Sequence, residues 1–343
     1  MRWRPYRRKP GRRPERARAG ARGGPCVGPR ASYVDANVNF GKPAMDLAAA
    51  LEGAPAPADG RELAVPAADG TALAATLLEP PGRAPADAPL VVIAAAAAVR
   101  RRFYARFATY LAGRGHPVLT FDYRGIGGSR TGSLAGSTIR MRDWCILDVP
   151  GVLAWAAAAF PRRPIHWVGH SMGGFAPGLA HNNALIARQL NVATLSGYWG
   201  RMAAPEKWRV AALMRFAGPL AVRLKGYFPG VLMGGEDMPG PAYLEWMRWC
   251  MTPEFLFADE TLPERAHFAA FRAPVRFVQV ADDPWGTEAA VGHMAAHFTA
   301  SVDRSMWRLA PADAGVAAIG HFGFFRPELR STAWRQAADW LLP

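Results

Sequence analysis

The sequence predicts an α/β protein whose mostly parallel sheet carries helices on both faces, and three observations predict it. Short apolar runs of strand length alternate with segments of helical period from about residue 90 to 196. The same rhythm resumes at Val275 and continues to the C-terminus. One run, Ile165 to His170, passes straight into Ser171-Met172-Gly173-Gly174, a strand running through Gly-x-Ser-x-Gly into a helical segment.

The chain has 343 residues, half of them hydrophobic, enough for a large core as one big domain or one domain with an insertion. Its formal net charge is +14, but residues 1–30 hold eleven Lys or Arg and one acid, Glu15. The rest of the chain is therefore close to neutral. Residues 1–44 are rich in Arg, Gly and Pro without apolar periodicity, and they read as a disordered basic extension. A basic tail, a targeting peptide and a dispensable extension, with Met45 as the working start, are the competing readings. Arg7-Arg8 and Arg12-Arg13 resemble a twin-arginine signal, but no apolar segment follows either pair. Cys26, Cys145 and Cys250 have neither metal-ligand nor paired-disulfide spacing. Leu90–Val99, the longest apolar run, is about half the length a membrane span needs. The chain is expected to be cytoplasmic, with no membrane span, no nucleic-acid partner, no metal and no cofactor.

The elements are taken in order over residues 45–343. Leu63–Val65 and Thr71–Leu78 flank Asp69-Gly70 as a β-hairpin. Leu90–Ala95 is a buried strand, followed by a helix from about Phe103 to Arg114 and a strand over Pro117–Phe121. A helix from about Ile139 to Phe160 is expected to kink at Pro150-Gly151. After the strand at Ile165 and its helix, Val192–Ser196 reads as the next strand. From Tyr198 to Leu262 no strand is evident and eleven aromatic residues appear, which predicts a helical insertion over residues 198–262. Val275–Val280, a helix through His293 and His297, the strand Val302–Leu309 and a helix to Trp340 complete the chain.

Ser171 is the candidate nucleophile. A serine between strand and helix sits on a very tight turn, and the glycines around it remove Cβ atoms that would clash. The turn leaves the Met172 N–H at a helix N-terminus, where negative charge is stabilised. A serine hydroxyl needs a base. Among eight histidines, His321 in Gly320-His321-Phe322-Gly323 follows the last strand at the same sheet edge. His293 and His297 have metal-ligand spacing, but Met294 stands where a zinc hydrolase needs its glutamate. The base needs a carboxylate to orient it. Asp283 in Ala281-Asp282-Asp283-Pro284 is the choice, Asp282 the alternative and Asp237 a distant third.

The order Ser171…Asp283…His321, with Asp122-Tyr123-Arg124-Gly125-x-Gly127-x-Ser129 and Gly169–Gly174, resembles the α/β-hydrolase superfamily from about residue 60 onward. Within it the chain is similar to the bacterial serine-aminopeptidase-like hydrolases. The resemblance implies an eight-stranded sheet, a helical cap at 198–262, and a Ser171–His321–Asp283 triad working through an acyl-enzyme. Where many relatives carry His-Gly, this chain has Ala94 to Ala98, so the second oxyanion N–H is expected from Ala97 or Ala98, beside that of Met172. Arg100-Arg101-Arg102 is either a solvated face or an anion contact. Tyr198, Trp199 and His170 are expected to contact a small, apolar acyl substrate, most simply an ester. Aminopeptidase-type amide hydrolysis, acyl transfer and a non-catalytic binding or scaffold role are the alternatives.

Overall fold

A computed structural model describes residues 60–82 and 84–342. The basic extension at 1–44 lies outside the described residues. Ten strands are present among them: β1 (Arg61–Pro66), β2 (Ala72–Leu78), β3 (Leu90–Ala94), β4 (Val118–Phe121), β5 (Ile165–His170), β6 (Ile186–Val192), β7 (Tyr227–Phe228), β8 (Met238–Pro239), β9 (Val275–Val280) and β10 (Arg304–Leu309). Eight form one sheet in the order β1-β2-β4-β3-β5-β6-β9-β10. The hairpin β1–β2 and the β2–β4 pair are antiparallel, and every other pairing is parallel. Every residue of β3 and β5 is buried, as expected of central strands covered on both faces. Chain order reverses at β3, which has β4 on one side and β5 on the other. The crevice beyond the carboxyl ends of β3 and β5 is therefore the switch point where open α/β sheets bind ligands.

Several elements differ from expectation for physical reasons. The helix expected from Ile139 to Phe160 runs from Met141 to Ala159, and its irregularity precedes Pro150 instead of falling at it. A π-turn over Trp144–Asp148 leads into the helix Val149–Ala159. A proline ring collides with the carbonyl four residues back, and the wider turn relieves that collision. The strand expected at Val192–Ser196 is β6, Ile186–Val192, six residues earlier. Its polar Gln189 and Asn191 are fully buried, and Gln189 Nε2 donates to the Gly174 carbonyl at 2.7 Å and to Asn191 Oδ1 at 2.7 Å. The elbow helix is correspondingly short, Met172–Phe175 followed by a 3₁₀ turn, Ala176–Leu179.

Between β6 and β9 the chain forms the helices Glu206–Ala212, Gly218–Lys225 and Gly240–Cys250. They are accompanied by a two-residue antiparallel pair, β7 with β8, that the sequence did not reveal. Arg101 is neither solvated nor free to meet an anion: it pairs with Asp122 and Glu62 and donates to Thr76 Oγ1. Arg124, in the loop after β4, bridges Asp148 and Asp69. Burial pushes the Asp148 carboxyl up to about 7 against the pull of Arg124. The same guanidinium holds the wetter Asp69 down at about 2. Among the described residues, no helix is long and apolar enough to cross a membrane.

Candidate active site

Ser171 sits where β5 meets its helix, with φ 52° and ψ −115°, a backbone state that costs a non-glycine residue of the order of 1–3 kcal/mol. The turn closes through Ser171 N to the Val192 carbonyl at 2.9 Å and Gly174 N to the Ser171 carbonyl at 3.1 Å. A Cβ at Gly169 would fall well inside 3.0 Å of the Gly173 carbonyl, and one at Gly173 equally close to that of Ala94. Those glycines are thus required by backbone packed on backbone, which a side chain cannot give way to.

The loops after β9 and β10 meet beside this turn. His321 Nδ1 is 2.7 Å from Asp283 Oδ2, and both side chains are nearly fully buried. Asp283 Oδ1 also accepts from the Trp285 N–H at 2.9 Å, so the carboxylate is held at both oxygens. Asp282 points the other way and accepts from the N–H groups of Ile319 and Gly320 at 2.9 and 3.0 Å. Neighbouring acids thus divide the work, one facing the imidazole and one holding its loop. Asp237 takes no part; it accepts from the Gly230 N–H at 3.0 Å. Among the described residues, no hydrogen bond joins the Ser171 hydroxyl to His321. Both residues line one cavity with Met172, Ala97 and Ala98.

The loop after β3 carries Ala98 at φ 57°. Its carbonyl accepts from the Glu236 N–H at 2.7 Å, so the insertion grips this loop directly. Glu236 also pairs with Arg100 at 2.7 Å. No hydrogen bond among the described residues claims the N–H of Ala97, Ala98 or Met172, leaving them available to an oxyanion.

Three residues expected to contact substrate lie outside the lining of this cavity. His170 is fully buried and does not reach the cavity. The Ala96 N–H donates to Tyr104 Oη at 2.9 Å, and that hydroxyl lies 2.8 Å from His170 Nδ1. Nε2 of His170 lies 2.9 Å from the His321 carbonyl. With the tyrosine donating to Nδ1, Nε2–H donates to His321, a neutral tautomer consistent with burial holding this imidazole well below its ordinary pKa. His170 therefore joins the β3 loop to the His321 loop from behind, and Tyr104, which no sequence signal distinguishes from a core tyrosine, completes that link. Tyr198 and Trp199 also lie outside the cavity lining; Trp199 packs on Tyr198 and Trp208, with centroids 5.9 and 5.3 Å apart. Gly197 and Met202, on either side of them in sequence, do line the cavity. The insertion's aromatic lining is instead Phe228, Trp246 and Phe255, with Met202, Met233 and Met238 beside them. Glu236 is the one carboxylate among the residues that line it.

His293 and His297 do not converge on a common centre: His293 Nε2 is 3.0 Å from Glu254, while His297 stacks on Phe257. No group of three or more His, Cys, Asp or Glu side chains among the described residues could hold a metal ion.

Residues 88–176, from β3 to the elbow helix, match the α/β-hydrolase fold family. Similar solved structures include a soluble variant of monoglyceride lipase from Saccharomyces cerevisiae in complex with a substrate analogue. It shares 13% identity and a TM-score of 0.59, covering 84% of this chain and 97% of that one. A putative hydrolase from Agrobacterium vitis has 16% identity, a TM-score of 0.53 and coverage of 83% and 99%. An esterase from Pyrococcus furiosus has 16% identity, a TM-score of 0.53 and coverage of 82% and 91%. At such identities the likeness is one of fold. No curated protein sequence is a significant match.

Proposed function

This chain has the α/β-hydrolase fold, and from that premise we propose that it is a serine hydrolase acting on an uncharged, apolar carboxylic ester or related acyl compound. One observation carries the reading: Ser171 on its strained turn and the buried His321–Asp283 pair open onto a single cavity walled by apolar side chains. With Nδ1–H donating to Asp283, His321 presents Nε2 as a proton acceptor. Ser171 attacks the substrate carbonyl while His321 takes the hydroxyl proton. The oxyanion rests on the N–H groups of Met172 and of Ala97 or Ala98, and Asp283 stabilises the imidazolium. His321 then protonates the leaving group, and water, deprotonated by the same imidazole, releases the acyl group from Ser171.

Residues 198–262 serve as the cap of this site, and their character favours esters over peptides. An amino-terminal substrate needs a free carboxylate to hold its ammonium group, whereas the one acid lining the cavity is neutralised by Arg100. The esterase and monoglyceride lipase of like fold point to the same substrate class.

A fluorophosphonate probe tests the reading. Its phosphorus centre imitates the tetrahedral intermediate, so covalent labelling needs an activated hydroxyl and working oxyanion donors together. Labelling of the intact protein is expected at Ser171, absent in Ser171→Ala and nearly absent in His321→Ala. A folded protein without Ser171-dependent labelling would exclude a serine hydrolase.

A further inference from the structure

We propose that the outer face of the cap docks on an anionic lipid surface, placing the cavity against a membrane. The observation is a stripe. Six of the nine large apolar side chains exposed among the described residues fall between Trp208 and Leu232. Trp208, Phe216, Leu220 and Leu224 are 59, 66, 57 and 75% exposed, and Val231 is 76% exposed. With exposed Ala212, the helical members recur every four residues. In an unbroken α-helix that spacing drifts by about 40° per step and would wind the stripe around the axis. Here a π-turn over Leu213–Ala217 joins the two helices and, being wider, rotates the chain less per residue midway. That turn offsets the drift and keeps the apolar positions on one side.

The helix is apolar on its inner side as well. Val210, Leu213 and Met214 are buried. The Leu213 carbonyl accepts from Tyr243 Oη at 3.2 Å, and the Tyr243 ring stacks on Phe228 at 4.1 Å, in the cavity wall. Val231 and Leu232 lie in sequence between the lining residues Gly230 and Met233. The exposed stripe is therefore the outside of the wall whose inside faces the substrate cavity.

Charge decides the partner. Residues 206–232 contain Lys207, Arg209, Arg215, Arg223 and Lys225 against a single acid, Glu206. That acid is occupied by Arg209 and by the Trp285 indole N–H. Lys207 lies over the Trp208 ring at 5.1 Å and Arg215 over Phe216 at 5.9 Å, so basic groups rim the apolar seam. An apolar helix face with a basic rim is the design of helices that lie in a lipid interface. A second copy docking through the same face would bring two positive rims together, whereas anionic headgroups neutralise them. Docking itself is independent of the hydrolase reading; only its use, delivery of a lipid-derived acyl substrate to Ser171, rests on it.

Flotation of the full chain with phosphatidylcholine vesicles, with and without phosphatidylglycerol, tests the proposal. Binding to the mixed vesicles is expected, and weaker binding to phosphatidylcholine alone. Phe216→Ser/Leu220→Ser/Leu224→Ser and, separately, Arg215→Glu/Arg223→Glu should each lower partitioning by about tenfold or more. Both variants should keep the parent melting temperature and hydrolysis of a soluble short ester. Ser171→Ala should partition like the parent, which separates docking from catalysis. Three results would overturn the proposal: no vesicle binding, binding unchanged in the triple serine variant so that another basic segment carries it, or a dimer of the parent that the triple serine variant dissociates.

Discussion

The cavity has two halves built by different rules, the strand ends of the sheet and the insertion that faces them. On the sheet side, backbone decides position. Ser171 is fixed by a turn that excludes Cβ atoms at Gly169 and Gly173. Asp282 ties down the His321 loop through two backbone N–H groups, and Asp283 fixes the ring. On the insertion side, packing decides. Phe228 lies stacked on Tyr243, and Trp246 and Phe255 reach the cavity from separate elements. The two sides are joined by backbone bonds from Glu236 N–H to the Ala98 carbonyl and from Ala203 N–H to the Pro284 carbonyl, and by side-chain bonds such as Arg100 to Glu236. On the proposed function, chemistry and selectivity are separable: the first tolerates little change in the strand-end turns, and the second is written in side chains that can be exchanged.

The largest effect that could break this separation lies on the sheet side. Asp283→Asn should lower kcat by about 10³–10⁴-fold, because an amide stabilises the wrong tautomer of His321 and cannot compensate an imidazolium. Asp282→Asn removes charge from two loop N–H groups without facing the ring, so its loss of kcat should be far smaller and accompanied by lowered thermal stability. Steady-state kinetics on one soluble ester, with thermal melts of both variants, compare them directly. Equal losses of kcat would mean that the His321 loop, and not the carboxylate it meets, limits the chemistry.

The same contrast explains what could be read in advance. The turn at Ser171, the loop at His321 and the acid after β9 were legible because each needs particular residue types at particular offsets from a strand. β6 was displaced because a strand is recognised by apolar residues, whereas Gln189 and Asn191 are buried there, with Gln189 Nε2 donating to the Gly174 carbonyl and to Asn191 Oδ1. β7 and β8 are too short to show a period, and one contains Pro239. His170, Tyr198 and Trp199 were assigned to substrate because they adjoin functional segments in sequence. His170 turns inward to Tyr104, and the other two pack among themselves. Aromatic residues that pack and aromatic residues that line a pocket have the same spacing on a helix, so the insertion's lining could not be chosen before its fold was seen.

The second effect sharpens the insertion side. Trp246 lines the cavity and Trp199 does not. Trp246→Ala should change the ratio of kcat/KM for long over short acyl esters by about tenfold or more, the worth of one large apolar contact. Trp199→Ala should leave that ratio unchanged and lower the melting temperature, since its neighbours are Tyr198 and Trp208. Ratios measured across a series of p-nitrophenyl esters decide it. A shift with Trp199 and none with Trp246 would place the acyl chain outside the cavity described here.

A third effect distinguishes the two halves by acid. Residues 198–262 contain no histidine, whereas β5 carries two, His166 and His170. His166 is 7% exposed, and burial pushes its pKa down from 6.5 to about 4. In the unfolded chain the ring binds its proton near 6.5, in the folded chain only near 4. Between those values the unfolded state holds more protons, so stability falls as pH falls. The contribution is whole above about pH 6.5 and is lost as pH drops through 4, amounting to roughly 3 kcal/mol for this one site. Chemical denaturation at pH 7 and pH 4.5 should show the loss, and His166→Gln should flatten that part of the slope. Hydrogen exchange should place the early opening in β5 and its neighbours, ahead of the helix Gly240–Cys250 in the insertion. An unchanged slope in His166→Gln would assign the acid lability to His170 or to the carboxylates. Exchange that opens the insertion first would mean that the half without histidines is the one that yields to acid.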